Sequence, residues 1–536
     1  MTSPSRYLLA LLILVLSASS LADDWFTNDD SVTDLAHMAP RGSALFVGVD
    51  LSETFTSDQI GKLLESTVRR LGGPRALDRV ERDLGNPVEQ FSKVFGTRAF
   101  LAIRPPQDGP PVLVLGLETR DGGQAATLLK TAGVIPSRKV DRTVEVAGSD
   151  FQFIGKGGYG TYGDYLLISN SPEALKQTLE EGESLHDEAL FQRYVAKVAV
   201  SQGLLAYGDV PEELSSRMPE LKAISHLLAG VGVQQGQFIT QAYALLNKET
   251  GLSKALLSEA GTLKGDAARY IPNDWGFMAS FDLRYLDNFL HRLEQERPDL
   301  AKDILGEMGQ VEKMIGVTVD QLLDVIDGEV TVSSNGLSLL PKAFLATSSH
   351  QDLDYRLTVT MPVKDGPATR LLMKNAWSRL DLKAERLYDD IMEVKGAEVC
   401  YILHNDQLIM SYGSSALTTL RQCLALRFAE SLASRERLTS HYPIKNGIAA
   451  GYLDLEPALA SFGPLPGRAK LEELLGPNPA LDGITFLTVQ ANGLKAQGTG
   501  GVTMLLGTGA GLGYYMFTKQ SYRPQPETPT VDDEKP

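Results

Sequence analysis

Apolar and polar residues alternate with a period of two along many short stretches of this chain, each bounded by turn residues. SALFVGVDL (43–51) reads as a half-buried strand, and AFLAI (99–103) and PVLVLGLE (111–118) as two more. The turn-rich PPQDGP between the last two predicts a hairpin with a medium loop. Short alternating strands follow from Val144 to Ser169. Elsewhere the period is helical. SDQIGKLLESTVRRLGG is N-capped by Ser57 and ended by Gly72-Gly73, and GGQAATLLKTAG forms a second helix. Ser171-Pro172 opens a third, because proline suits the first helical position behind a serine cap. Hairpins dominate and βαβ spacing is sparse. The expected class is α+β, with mainly antiparallel sheet and helices packed on one face.

The pattern occurs twice. Pro40…Leu45-Phe46…Asp50-Leu51 recurs as Pro272…Phe277-Met278…Asp282-Leu283. Val94-Phe95-Gly96 precedes one strand as Val325-Ile326-Asp327-Gly328 precedes another. Leu115–Lys130 returns as Val359–Lys374, Asp164–Leu175 as Asp406–Leu417, and GLLAYGDVPEEL as GIAAGYLDLEPAL. Matched blocks in one order predict two tandem homologous units, 36–255 and 268–498, joined near Ser258–Tyr270.

Six stretches also follow a shared pattern: Pro40–Leu51, Gly328–Val332, Glu118–Leu129, Asp164–Leu175, Ser184–Phe191 and Gly203–Asp209. Through these the chain resembles a bacterial envelope protein family of unknown function built from tandem α+β units. The resemblance implies an exported or membrane-anchored α+β protein and carries over no catalytic residue. Its motifs mark turns and core positions.

The two ends add a compartment. Arg6, the apolar run Tyr7–Leu16 and the small residues Ser20-Leu21-Ala22 predict a signal peptide over residues 1–22, hence a periplasmic location. No cysteine follows the run, so a lipid anchor at this end is not expected. Gly500–Phe517 is free of charge, ends in Tyr514-Tyr515 and is flanked by Lys519 and Arg523. Those are the marks of a C-terminal transmembrane helix at 500–518, although alternating glycines from Gly507 to Gly513 also suit a glycine-rich strand. The Pro-rich polar tail 519–536 is expected to be disordered.

Composition narrows the function. The chain is 43% hydrophobic and 22% charged, as globular proteins are, and 536 residues exceed one compact core. Its net charge of −16 and lack of a basic stripe argue against nucleic acid as a partner.

Candidate chemistry is sparse. Gly155–Gly160 (GKGGYG) fits the dinucleotide pattern, but TYGDYLLIS after it reads as a strand, where a phosphate loop needs a helix N-terminus. Aligning Asp164 with Asp406 sets these glycines against Ala397–Ile402, which has none, so a bulged or flexible hairpin is expected and no cofactor. His350-x-Asp352-x-Asp354 has metal-ligating residue types but stands where the first unit has a polar loop, so no metal is expected there. The seven histidines are otherwise scattered, and no nucleophile elbow or phosphate-loop motif occurs. Of the two cysteines, Cys400 is placed on a strand and Cys423 well into the following helix, so buried free thiols are expected. Catalytic residues cannot be assigned.

The expected role is therefore structural or binding, with an envelope protein or lipid-like amphipathic ligand held between the units. The alternative is a hydrolase-like envelope enzyme with dispersed catalytic residues. The anchor has a direct test. Alkaline carbonate washing of membranes should leave the full-length protein in the pellet, and its release would remove Gly500–Phe517 as a span.

Overall fold

A computed structural model describes residues 32–50, 52, 74–106, 110–198, 203–210, 215–216, 219–234, 237–335, 356–454 and 482–499. The signal segment, Ser57–Gly73, His350–Asp354 and Gly500–Pro536 lie outside the described residues.

The alternating stretches become strands: β1 (Leu45–Asp50), β2 (Phe95–Arg104), β3 (Val112–Thr119), β4 (Arg142–Val146), β5 (Ser149–Ile154), β6 (Gly157–Tyr162), β7 (Tyr165–Ser169), β8 (Gly203–Asp209), β9 (Ile224–Gln234) and β10 (Gln237–Leu246). All pairings are antiparallel, in the order β4-β5-β6-β7-β3-β2-β1-β8-β9-β10. The second half contributes β11 (Phe277–Asp282), β12 (Glu329–Ser334), β13 (Leu357–Pro362), β14 (Lys383–Arg386), β15 (Met392–Lys395), β16 (Val399–His404), β17 (Gln407–Tyr412), β18 (Gly447–Asp454), β19 (Asp482–Gln490) and β20 (Gly493–Thr499). Their order is β14-β15-β16-β17-β13-β12-β11-β18-β19-β20, the same sequence of pairings.

The two series meet where β10 pairs with β20, giving one 20-stranded sheet. Gln241 pairs with Gln497 at this seam. Each stands fourth beyond the residue that closes its hairpin, Gln237 opposite Gln234 and Gly493 opposite Gln490. The ladder therefore has a local two-fold axis through the glutamine pair. Tyr243 packs beneath it against Tyr194, ring centroids 5.6 Å apart. Gly493 permits the close approach: a Cβ there would meet the Ala244 carbonyl oxygen at 2.1 Å. The outer edges, β4 and β14, carry Arg142 and Glu145, and Lys383, Glu385 and Arg386. Charge at a free edge discourages pairing with another chain.

Helices cover both faces of the sheet. The first half has α1 (Pro74–Leu84), α2 (Pro87–Val94), α3 (Gly122–Thr131), α4 (Pro172–Leu179) and α5 (Ala189–Val195). Leu167 of β7 points into a core with Leu175 of α4 and Phe191 of α5. Its neighbour Leu166 joins Leu77, Phe91 and Leu128 from the other three helices. A single helical layer was expected, but strands such as AFLAI and YLLIS are apolar at successive positions and need cover on both sides. The second half follows with α6 (Gly251–Leu256) at the junction, then α7 (Leu283–Glu296), α8 (Pro298–Ile315), α9 (Val319–Val325), α10 (Gly366–Arg379), α11 (Ala416–Ala425) and α12 (Glu436–Thr439). Leu408 and Met410 face the core of α9 and α10, and Ile409 that of α11. Among the described residues no helix is long and apolar enough to cross a membrane.

The repeated aspartate is structural in both halves. Asp50 is buried and accepts Arg98 Nε at 2.8 Å. Asp282 caps α7 by accepting the Arg284 N–H at 3.1 Å, and pairs in register with Glu329. Burial pushes the Glu329 carboxyl above the ordinary glutamate range, although the Lys264 and Gly265 N–H groups donate to it at 2.8 and 3.3 Å.

Two outcomes follow. A carboxyl with a raised folded pKa binds its proton more tightly in the folded protein. It thus removes stability as pH climbs from the ordinary value of 4.5 to the raised one. The unfolding midpoint of Glu329→Gln relative to wild type should therefore rise as pH increases from about 4 to 7, and a flat difference overturns this reading. Separately, a chain of residues 23–270 should dimerise through its uncovered β10, Gln241 opposite Gln241. A strictly monomeric species by light scattering would contradict that.

Candidate functional site

A cleft of about 750 Å³ with the shape of a ligand site lies between α10 and strands β14 to β17. Its helical wall follows from sequence spacing. Thr369, Met373 and Trp377 recur every fourth residue, and so do Arg370, Lys374 and Ser378 beside them. Asp365 starts the helix by accepting the Ala368 N–H at 3.0 Å, and Pro367 occupies its first turn. The floor is apolar, formed by Tyr401, Leu403 and Leu408 with Leu382, Ala384 and Met392 beside them. Met373, Tyr401 and Leu408 are buried, Trp377 is half-buried, and the Trp377 and Tyr401 rings lie 6.2 Å apart.

The rim is cationic. Arg370, Lys374, Lys383 and Arg386 are exposed around the opening, against the acids Glu385 and Asp390. Asp390 is already engaged by the Arg386 guanidinium. On a chain of net charge −16 this is a local reversal of sign. Such a site favours a ligand with an apolar body and a negative head. Desolvation holds the Tyr401 hydroxyl above the ordinary tyrosine range, so it stays protonated and can donate a hydrogen bond.

The same place in the first half is closed. Tyr159 occupies the position of Tyr401, since Tyr159 pairs with Ile168 as Tyr401 pairs with Met410. There the chain after α3 folds back, with the Val134 and Ile135 N–H groups donating to the Leu129 carbonyl at 2.9 and 3.2 Å. Ile135 is buried in the core beside Tyr159, and Lys130 Nζ lies 4.8 Å over the tyrosine ring. α10 runs a turn longer, to Arg379, and the chain folds back there too, with the Leu382 N–H donating to the Trp377 carbonyl at 2.8 Å. The residue that follows is exposed Lys383 where the first half has buried Ile135, and this groove is open. A ligand between the two units was expected. The seam holds the β10–β20 ladder, and the cleft lies wholly within the second half.

The glycine motif has a packing explanation. Gly155 and Lys156 form the turn between β5 and β6, and Gly157–Tyr162 is strand, followed by another strand. A Cβ on Gly158 would meet the Phe153 ring at 2.5 Å, and one on Gly160 the Phe151 ring at 2.7 Å. The glycines make room for two core phenylalanines, and no helix N-terminus follows them. Cys400 and Cys423 are free and buried in separate core clusters. Burial pushes the Cys423 thiol up to about 12, which keeps it unreactive.

Sequence reasoning did not single out the cleft residues. Their alternation was readable, but the extra turn of α10 and the open groove beneath it were not.

No family model and no curated protein matches the chain. Among solved structures it is similar to crystal form I of TP0453, with a TM-score of 0.23 and 9% identity over 42% of this chain and 81% of that one. Crystal form III of TP0453 gives a TM-score of 0.24 and 6% identity, covering 44% of this chain and 89% of the other. Crystal form IV gives 0.25 and 8%, covering 39% and 79%.

Proposed function

We propose that this chain is a non-enzymatic envelope protein that binds an amphipathic ligand with an anionic head in the cleft beneath α10. In this reading it is exported to the periplasm by residues 1–22 and held at the inner membrane by Gly500–Phe517. Its halves are tandem copies of one α+β unit, of which the second has specialised. The recurrence of strand order and of the repeated sequence blocks supports the duplication. The observation that carries the binding role is the contrast between the copies: one groove filled by Ile135 and Lys130, the other open, apolar within and cationic at its rim.

A hydrolase-like activity needs a nucleophile with a base in hydrogen-bond reach. Among the described residues the cleft offers Glu385 and an arginine-bound Asp390 as its acids, which favours binding.

Trp377 makes the test practical in a Trp25→Phe background, because the remaining tryptophan, Trp275, is 1% exposed and shielded from ligand. A long-chain fatty acid added to the full-length protein should change tryptophan emission and displace a fluorescent fatty-acid analogue. Met373→Arg, which places a charge on the floor, should weaken binding at least about tenfold, or about 1.4 kcal/mol. Trp377→Phe should lose the emission change while keeping displacement. Equal binding by Met373→Arg and wild type would remove the cleft from consideration.

A further inference from the structure

A second cluster of chemistry lies on the first half, on the opposite face of the sheet from α1 to α3. Val32–Met38 forms a 3-10 helix. Three residues make one turn of such a helix, so side chains at i and i+3 stand above one another. Asp34 and His37 are spaced in this way and share a face. The third member, His186, comes from the loop between α4 and α5, far away in sequence. Its ring stacks on that of His37, with centroids 3.6 Å apart and planes inclined at 28°.

The two segments are fixed to each other by backbone. The Leu185 N–H donates to the Ala39 carbonyl at 2.8 Å, the His186 N–H to the Ala36 carbonyl at 3.3 Å, and Pro40 bridges Ser184. Beneath them Val32, Leu35, Ala36 and Leu185 are at most 1% exposed. The cluster therefore sits on rigid support while its own side chains reach solvent. One donor atom from each of Asp34, His37 and His186 lies within 4.8 Å of the others. A tetrahedral ion with bonds of about 2.0–2.1 Å separates its ligands by about 3.4 Å, so side-chain adjustment of about 1 Å closes the shell. Asp187 adds a carboxylate 3.9 Å from His186 Nδ1, a nearby negative charge that favours a cation here.

The second half supplies an internal control. It builds the same bridge, with Pro272 against Ser431 and the Leu432 N–H donating to the Ile271 carbonyl at 2.8 Å. By that register His37 corresponds to Arg269 and His186 to Ala433. The scaffold closes without either histidine, so holding the bridge does not account for the pair.

We propose that Asp34, His37 and His186 form a binding site for one zinc ion, with solvent completing the coordination. Two imidazoles and one carboxylate suit Zn²⁺ and discriminate against Mg²⁺ and Ca²⁺, which take all-oxygen shells. The site is independent of the cleft.

The test is Zn²⁺ titration of the full chain, purified without a histidine tag and stripped by chelator. One equivalent should bind with a Kd on the order of 1 µM or tighter, while Mg²⁺ produces no heat. His37→Arg and His186→Ala copy the residues of the second half, so both should fold. Each should weaken Zn²⁺ binding at least about tenfold. In the unsubstituted chain, Zn²⁺ should protect His37 and His186 from acylation by diethyl pyrocarbonate, read by peptide mass spectrometry. No saturable binding below about 100 µM, or equal binding by both variants, overturns the site. So does acylation of both histidines at the same rate with and without the ion.

Discussion

The pairing of β10 with β20 is the constraint around which the rest of the molecule is arranged. A sheet edge in a protein interior leaves a row of N–H and C=O groups without partners, at a cost comparable to the hydrogen bonds lost. Either half alone would end in such an edge, and on β10 that edge lies over the buried Tyr243. Joining the two edges satisfies both, and the local two-fold at Gln241 and Gln497 lets one strand type serve as its own partner. Among the described residues the strands that end the series, β4 and β14, are short and charged.

Because the seam is a ladder, the two halves share one sheet with one order of pairings, and they differ in what covers it. The inner positions of β7 and β17 alternate between the same two faces, and Asp121 and Asp365 cap α3 and α10 alike. The differences are found around the ends of the helices. The chain folds back after both α3 and α10, but the return after α3 buries Ile135 in its groove, whereas the longer α10 is followed by exposed Lys383 and an open groove. In the loop before α5 the first half carries His186 where the second carries Ala433. Core positions tolerate little change because interiors are close-packed, while surface loops are free to acquire chemistry.

Much of this organisation was legible in the sequence. Alternation located the strands, and Ser171-Pro172 opened α4 with the serine hydroxyl accepting the Ala174 N–H at 3.1 Å. The single helical layer was misjudged because runs apolar at every position hide which faces are covered. GKGGYG was read as hairpin from its context, but the reason for its glycines lies in Phe151 and Phe153, on a neighbouring strand.

The sequence by itself determined the local elements, the α+β class and the order of repeated blocks, because those depend on period, caps and turns within a few residues. Only the tertiary structure decided the seam, the open cleft and the meeting of His37 with His186. Each depends on contacts between residues far apart in the chain, set by how the sheet closes and where loops run. No local pattern encodes that. A histidine at 186 gains its meaning from the bridge between Pro40 and Ser184, which brings two distant turns side by side.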